Sequence, residues 1–357
     1  MNNKNKLNFE KLTKNKTYFI ADIAANHDGS LKRAKKLIRL CALAGADAAK
    51  FQHFKAETIV SNYGFEKMKR LSHQKKWKKS VFEVYKAASI NPKWNLALLR
   101  ECKKNKIDYM TAPYDLKYVE DVNKYISAYK IGSGDITWKK ILIKIAKQKK
   151  PIVLATGASN FEDVKKAVKI IQKFNKSKLV LMQCNTNYTN SMQNFSYLNL
   201  KVLDQYKNFF KNKVILGLSD HTPGHQSVMG AVSMGAKVIE KHFTDFNYGN
   251  GPDHKFSMNP KTWSQMVKDV RLLEKSLGDG YKKIEKNEKE SVIIQRRGAW
   301  LNKDVQKGEG LTEKMIDYLR PSPKNSIDIF EIKKFIGKKF RKSKKKNSLI
   351  TTKCLMK

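Results

Sequence analysis

The stretch Val214-Ile215-Leu216-Gly217-Leu218-Ser219-Asp220-His221-Thr222, answered at Lys237-Val238-Ile239-Glu240-Lys241-His242-Phe243, decides the fold. Each is a short run rich in Val, Ile and Leu that breaks into polar residues, as a strand buried on both faces does where it ends. Residues 226–234 between them place apolar side chains three and four apart, the spacing of a helix. Strand, helix and strand in that order make a parallel unit.

Working outward, the same alternation fills most of the chain. Strand-like runs occupy residues 18–24, 46–52, 107–112, 128–132, 151–156, 179–184, 214–219 and 237–243. Amphipathic stretches lie between them, such as 31–44 (Leu31, Ala34, Leu37, Ile38, Cys41, Ala42) and 161–174. Eight such units predict an α/β fold, a TIM (β/α)8 barrel over residues 18–285. An open doubly wound sheet needs the same alternation, but no G-x-G-x-x-G opens a helix after the first strand, which removes the main reason to prefer a dinucleotide fold. Residues 1–17 form an N-terminal extension. After Leu277-Gly278 the alternation stops, and residues 286–357 read as a charged connector and a small module of short strands and glycine-marked turns.

Composition sets the class. The chain has 357 residues, and its hydrophobic fraction of 41% can fill a core. Met1 to Lys16 is polar and lysine-rich with no apolar h-region, and no later run approaches the roughly 18–20 apolar residues that span a bilayer. The expectation is a cytoplasmic protein with no membrane partner. Four cysteines without C-x-x-C spacing are expected to be reduced thiols. Lys and Arg number 73 against 32 Asp and Glu, a formal net charge of +41. That field attracts polyanions, yet the lysines are spread along the chain with Asn and Ile, as compositional drift would leave them, so nucleic acid is not an expected partner. The one dense cluster, residues 338–346, reads as a solvated loop.

The strand ends carry the chemistry. A barrel of this kind assembles its active site there. In order the ends hold Asp22 with Asn26 and His27; Lys50 and Gln52; Thr111; Lys130 and Ser133 with Asp135; Thr156 and Gly157; Thr186, Asn187 and Tyr188; Ser219 and His221; and His242. Two imidazoles can bind a divalent ion and leave positions open for water and substrate, although a strand-end histidine is more often only a hydrogen-bonding residue. Lys50 and Lys130 with Thr111, Ser133 and Ser219 suit a phosphate and a carboxylate, the bland alternative being inward ion pairs. A Schiff-base lysine stays open, while the histidine pair points to metal activation of a carbonyl. The two-residue strand period puts Lys50 with Gln52, and Glu240 with His242, on shared faces. The long segment 63–92, with His73, Trp77, Phe82 and Tyr85, is either a lid over the rim or an extra helix packed outside the barrel.

Six motifs occur together in one order: Ile20-Ala21-Asp22-Ile23-Ala24-Ala25-Asn26-His27-Asp28-Gly29, Ala49-Lys50-Phe51-Gln52, Tyr129-Lys130-Ile131-Gly132-Ser133-Gly134-Asp135, Leu218-Ser219-Asp220-His221-Thr222, Glu240-Lys241-His242-Phe243-Thr244 and Gly251-Pro252-Asp253-His254. In this the chain resembles the sialic acid (N-acetylneuraminate) synthase family from about residue 17 onward. Its tail, with residues 303–309 and Leu319-Arg320-Pro321, looks like the family's antifreeze-like SAF domain.

The resemblance implies a phosphoenolpyruvate-dependent, carbon–carbon bond-forming transferase. It would condense phosphoenolpyruvate with an N-acetylated hexosamine, N-acetylmannosamine or a relative, to give a nonulosonic acid and phosphate. The alternative within the family is a legionaminic or pseudaminic acid synthase using a di-N-acetylated deoxyhexose; outside it, a polyanion-binding protein. By resemblance Lys50, Thr111, Lys130, Ser133 and Ser219 match phosphoenolpyruvate-binding positions. Gln52, Asp135, Tyr188, Asp253 and Arg320 match positions around the acceptor sugar. Asp22, His221 and His242 match catalytic positions, the two histidines holding a divalent metal, Mn2+ or Mg2+. A domain-swapped homodimer is also implied, each SAF domain capping the partner's barrel.

Departures are visible. The family more usually has Glu at Asp22 and Asp135, and one methylene moves a carboxylate by about 1.5 Å, enough to alter a rate about a hundredfold unless the backbone compensates. Thr186 stands where Asn is frequent, and residues 322–326 replace a Pro-Gly-rich loop.

Overall fold

The computed structural model describes residues 7–68, 74, 77–249 and 251–356. They form two compact units, one running to Gly278 and the other from Asp279. In the first, parallel strands β1 (Tyr18–Asp22), β2 (Ala48–His53), β3 (Asp108–Pro113), β4 (Ala128–Ile131), β5 (Ile152–Ala155), β6 (Leu179–Cys184), β7 (Val214–Asp220) and β8 (Val238–His242) pair in sequence order. β8 returns to β1, from Tyr18↔Val238 to Asp22↔His242, and closes the barrel. The architecture is the eight-stranded TIM barrel, and each strand falls on one of the eight apolar runs.

The helices in chain order are α1 (Phe9–Leu12), α2 (Leu31–Leu43), α3 (Ala56–Ile59), α4 (Asn62–Lys67), α5 (Val81–Ala88), α6 (Asn95–Lys104) and α7 (Leu116–Asn123). They continue with α8 (Lys139–Lys147), α9 (Phe161–Phe174), α10 (Asn194–Tyr197), α11 (Val202–Phe210), α12 (Gln226–Ser233) and α13 (Pro260–Leu277). Local chemistry starts them. Ser30 accepts a hydrogen bond from Arg33 N–H at the head of α2, and Asn160 with Asp163 forms a capping box on α9. Each then buries one stripe: Ala34, Leu37, Ile38 and Cys41 on α2, and Val164, Ala167, Val168 and Ile171 on α9. No helix among the described residues is long and apolar enough to cross a membrane, and the four cysteines are unpaired.

Strand alternation sorts the side chains. Tyr18, Ile20, Ala48, Met110, Ala128, Val153, Val180 and Val238 fill the lower barrel interior, while Phe19, Ala21, Phe51, Tyr109, Tyr129, Leu154 and Ile239 pack beneath the helices. Phe9 of α1 belongs to the interior cluster and meets Tyr18 edge-on with ring centroids 5.3 Å apart, so part of the N-terminal extension stoppers the bottom. Continued upward, the inward register delivers Asp22, Lys50, Gln52, Lys130, Ser219, Glu240 and His242 to the C-terminal end. The outward register at the same height delivers Asp220 and Lys241. They form a buried ion pair of 2.5 Å, with Ser227 Oγ donating to the same Asp220 oxygen and Lys241 Nζ also donating to the Thr222 carbonyl. Because Asp220 directly precedes His221 and Lys241 directly precedes His242, this pair joins the two histidine-bearing ends.

The second unit contains α14 (Lys289–Gln295) and an antiparallel pair, β9 (Gly298–Leu301) with β10 (Ile316–Leu319). Its core includes Leu301, Val305, Leu311, Ile327, Phe340 and Ile350. The lysine-rich cluster 338–346 is not the loop its composition suggests. Lys339 bridges to Gly310 and Lys344 to Val305 through the backbone, and Phe340 is fully buried, while most of the lysine side chains point to solvent.

Replacing Lys241 by Met leaves the Asp220 carboxylate buried without its counter-charge. A loss of about 3–5 kcal/mol is expected. Denaturant unfolding measures it, and a loss below about 1 kcal/mol contradicts the assigned role.

Candidate active site

Five strands deliver one charge network. Glu240 Oε1 accepts from Lys130 Nζ at 2.6 Å and from Ser219 Oγ at 3.1 Å, and lies 3.8 Å from Lys50 Nζ. Lys50 Nζ donates to Asp22 Oδ2 at 2.7 Å, and that oxygen lies 3.5 Å from His242 Nε2. All are buried. Burial alone lifts a carboxyl pKa, but Lys130 and Lys50 outweigh it at Glu240 and hold it down at about 2. Burial likewise disfavours the charge of Lys50, and the Asp22 and Glu240 carboxylates overcome this and raise it. Each ammonium has three N–H donors, so pairing with one carboxylate leaves it able to bind an incoming anion.

The histidines sit beside this network. Their ring centroids are 5.4 Å apart, and the Tyr188 ring lies 4.3 Å from that of His221. Burial first, then each neighbouring cation or imidazole, pushes both down to about 3, so both rings are neutral. His221 Nδ1 lies 2.8 Å from the Asn185 carbonyl, which can only accept. The proton is therefore on Nδ1, and the Nε2 lone pair is available to a ligand. Among the described residues, His242 Nδ1 and Glu240 Oε2 are buried with no hydrogen-bond partner. Orphaned polar atoms of this kind cost about 1–3 kcal/mol each, which a binding site tolerates because a ligand satisfies them. Among the described residues no three His, Cys, Asp or Glu side chains converge as a metal cage. Two neutral imidazoles thus fit a loosely held ion with open positions and not a structural one.

A cavity of about 420 Å3 gathers these groups. Asp22, Lys50, Gln52, Lys130, Ser133, Asp135, Tyr188, Ser219, His221, His242 and Asp253 all line it. Ser133 Oγ accepts the Gly157 N–H at 2.9 Å. A Cβ on Gly157 would come within 2.5 Å of Thr186 and 3.0 Å of Ser133 Oγ, so only glycine lets the backbone approach there. Burial raises Asp135 to about 6; it raises Asp253 to about 6 against a hydrogen bond from Ala25 N–H.

Thr111, matched by resemblance to a phosphoenolpyruvate-binding position, is turned away from the cavity. It pairs in register with Phe51 on the outward face, donates to the Phe51 carbonyl at 2.9 Å and touches His53 Nδ1 at 2.7 Å. The inward position at that level is Ala112, level with Gln52. Thr156 is also turned away, bonded to Tyr206 and the Met182 carbonyl, and His27 packs edge-on against Trp94. Arg320 is an exposed residue of the second unit, directly after β10. Glu240, at the centre of the network, is not among the expected site residues. The signal was present, since it lies two residues before His242 on the same strand face. Within segment 63–92, residues Val81–Ala88 form a helix, and Trp77, Val84, Tyr85 and Ala88 line the cavity. His73 lies outside the described residues.

Residues 37–282 match the NeuB family. The chain belongs to the NeuB family. Among similar proteins is the N,N'-diacetyllegionaminic acid synthase of Campylobacter jejuni, 36% identical over 94% of this chain and 99% of that protein. The N-acetylneuraminate-9-phosphate synthase of Homo sapiens is 30% identical over 75% of this chain and 73% of its own length. The crystal structure of an N-acetylneuraminic acid synthetase from Leptospira borgpetersenii, in complex with citrate, superposes with a TM-score of 0.68 at 27% identity, covering 78% of this chain and 90% of that one. The matched residues begin within α2 and run past α13, so they include every cavity-lining strand end except that of β1.

The folded protein holds the Asp253 proton more tightly than the unfolded chain does. Its contribution to stability is full below the ordinary value of 3.8 and falls as pH rises through about 6. Asp253→Asn is therefore expected to be near-neutral at pH 4 and increasingly stabilising toward pH 7. Urea midpoints across that range measure it, and a pH-independent difference contradicts it.

Proposed function

We propose that the protein is a nonulosonic acid synthase, a cytoplasmic transferase that condenses phosphoenolpyruvate with an N-acetylated hexosamine and releases phosphate. The observation that carries this reading is the convergence of Lys50 and Lys130 on one cavity with Ser133, Ser219 and two neutral histidines. Lys50 and Lys130 bind the phosphate and carboxylate oxygens as point charges, and Ser133 and Ser219 donate to the same oxygens. Gln52, Asp135, Tyr188 and Asp253 face the acceptor and fix its hydroxyl and amide groups. Asp22, held by Lys50, is placed to orient the water that adds to the ester carbon.

His221 and His242 would hold a divalent cation, Mn2+ or Mg2+. Such an ion supplies Lewis acidity toward the acceptor's aldehyde oxygen. In this reading the second unit is a SAF-type domain that sends Arg320 to the partner's acceptor site in a domain-swapped homodimer. The relationship to the Campylobacter jejuni enzyme is higher in identity and coverage than that to the human one. It favours a di-N-acetylated deoxyhexose over N-acetylmannosamine as acceptor.

Phosphate release from phosphoenolpyruvate, with Mn2+ or Mg2+ and a panel of N-acetylated hexosamines, tests the proposal. At least one acceptor is expected to turn over; release from none of them refutes the synthase reading. His221→Ala and His242→Ala should each lower turnover more than about a hundredfold with little change in the unfolding midpoint. A polyanion-binding role predicts instead that function survives both substitutions and falls log-linearly with salt.

A further inference from the structure

Of the motif Gly251-Pro252-Asp253-His254, the cavity uses Pro252 and Asp253, while His254 is fully buried and stands outside the lining. Its imidazole is engaged on both sides. Nε2 lies 3.0 Å from Asp28 Oδ1, and because a carboxylate can only accept, Nε2 carries a proton and donates it. Nδ1 lies 2.8 Å from Thr244 Oγ1. Asp28 belongs to the loop after β1, and Thr244 follows the end of β8 by two residues. One side chain thus ties the loop of the first strand to that of the last.

The loop after β8 is folded around this ring. A Cβ on Gly249 would come within 2.5 Å of the imidazole, and one on Gly251 within 2.8 Å of Asp28 Oδ1 and 3.0 Å of the imidazole, so only glycine lets the backbone pass there. Phe246 stacks on the imidazole with centroids 5.5 Å apart. Arg33, 4.8 Å over the Phe246 ring, pairs with Asp28 at 3.0 Å and with Asp245 at 2.5 Å. Asp28 itself has φ +46°, in the left-handed region where a residue other than glycine depends on its partners to stay.

The neighbour of this histidine is a site group. Asp253 Oδ2 accepts from Ala25 N–H at 3.1 Å, and its carbonyl accepts from Ser257 Oγ at 2.6 Å, which in turn accepts from Asn26 Nδ2 at 2.9 Å. The bonds that aim Asp253 therefore run within and between the two loops that His254 clasps. Lys50, Lys130, Ser219 and Glu240 stand instead on barrel strands and are fixed by the network across the interior. From this we infer that His254 is a positioning residue: through Asp28 it holds the loop after β8 against the loop after β1, and so sets where Asp253 meets the acceptor. The inference rests on the synthase reading and adds to it a residue that never touches substrate.

The test uses the full chain with phosphoenolpyruvate, Mn2+ and whichever N-acetylated hexosamine the wild type turns over, with kcat and the KM of each substrate read by phosphate release. His254→Gln keeps an N–H donor near the height of Nε2, His254→Asn keeps one near Nδ1 only, and Asp28→Ala removes the acceptor from the exposed end of the pair. His254→Asn and Asp28→Ala are each expected to lower kcat/KM for the acceptor about 10–100-fold, as a small misplacement of a binding group does, and to leave the KM of phosphoenolpyruvate within about twofold of wild type. His254→Gln should recover most of the loss, and combining His254→Asn with Asp28→Ala should cost little more than either alone. A merely structural role would weaken both substrates together. Equal losses for the two substrates, or equal activity in the Gln and Asn variants, overturn the inference while leaving the synthase reading in place; should the His254 variants not fold, the presence or absence of the split in Asp28→Ala decides. Release of phosphate by the wild type with no hexosamine removes the synthase reading and the inference with it.

Discussion

The Glu240 carboxylate inside the barrel is the interaction on which the site depends. It accepts from Lys130 and Ser219 and stands near Lys50, which in turn is held by Asp22. Two cations and two anions balance in a buried space, where an unpaired charge would be severely unfavourable. The members come from β1, β2, β4, β7 and β8, so the network exists only once the barrel has closed in its correct register. Slipping one strand by a single residue would exchange these groups for the outward set and bury apolar side chains in their place.

The same alternation serves a second purpose one residue away. Asp220 and Lys241 occupy the outward register and couple β7 to β8 beneath the helices, while Ser219, Glu240 and His242 face inward. Adjacent residues thus belong to separate buried ion-pair systems, one holding the strand ends and the other presenting charge to the cavity. The histidines are kept neutral by burial and by neighbouring charge, the protonation state in which imidazole nitrogen can act as a ligand. Orphaned atoms on His242 and Glu240 add a local destabilisation.

Much of this was legible in the chain. Strands buried on both faces leave long apolar runs, and these located all eight barrel strands. The two-residue period was also enough to predict that polar residues at strand ends share a rim. In the Met110-Thr111-Ala112 run the one hydroxyl lies between Met110 and Ala112, which carry the inward parity, so the same period turns Thr111 away from the site. The strand period puts Glu240 on the His242 face but gives it no role, because a carboxylate paired with lysines looks like an ordinary ion pair until its neighbours across the barrel are known. The apolar part of the cavity lining, Trp77, Val84, Tyr85 and Ala88, was hidden for a different reason. Lysines interrupt the sequence that supplies it, so composition does not mark it as apolar. In the tail, cluster 338–346 looked solvated because lysine dominates it, whereas its pairing is made by the backbone, which composition does not reveal.

A crystal structure of the protein soaked with phosphoenolpyruvate and Mn2+, with anomalous scattering recorded at the manganese edge, tests the central claim most directly. The account predicts one anomalous peak between the His221 and His242 rings and phosphoester density in contact with both Lys50 Nζ and Lys130 Nζ. A peak elsewhere, or phosphoester bound without either lysine, would contradict it.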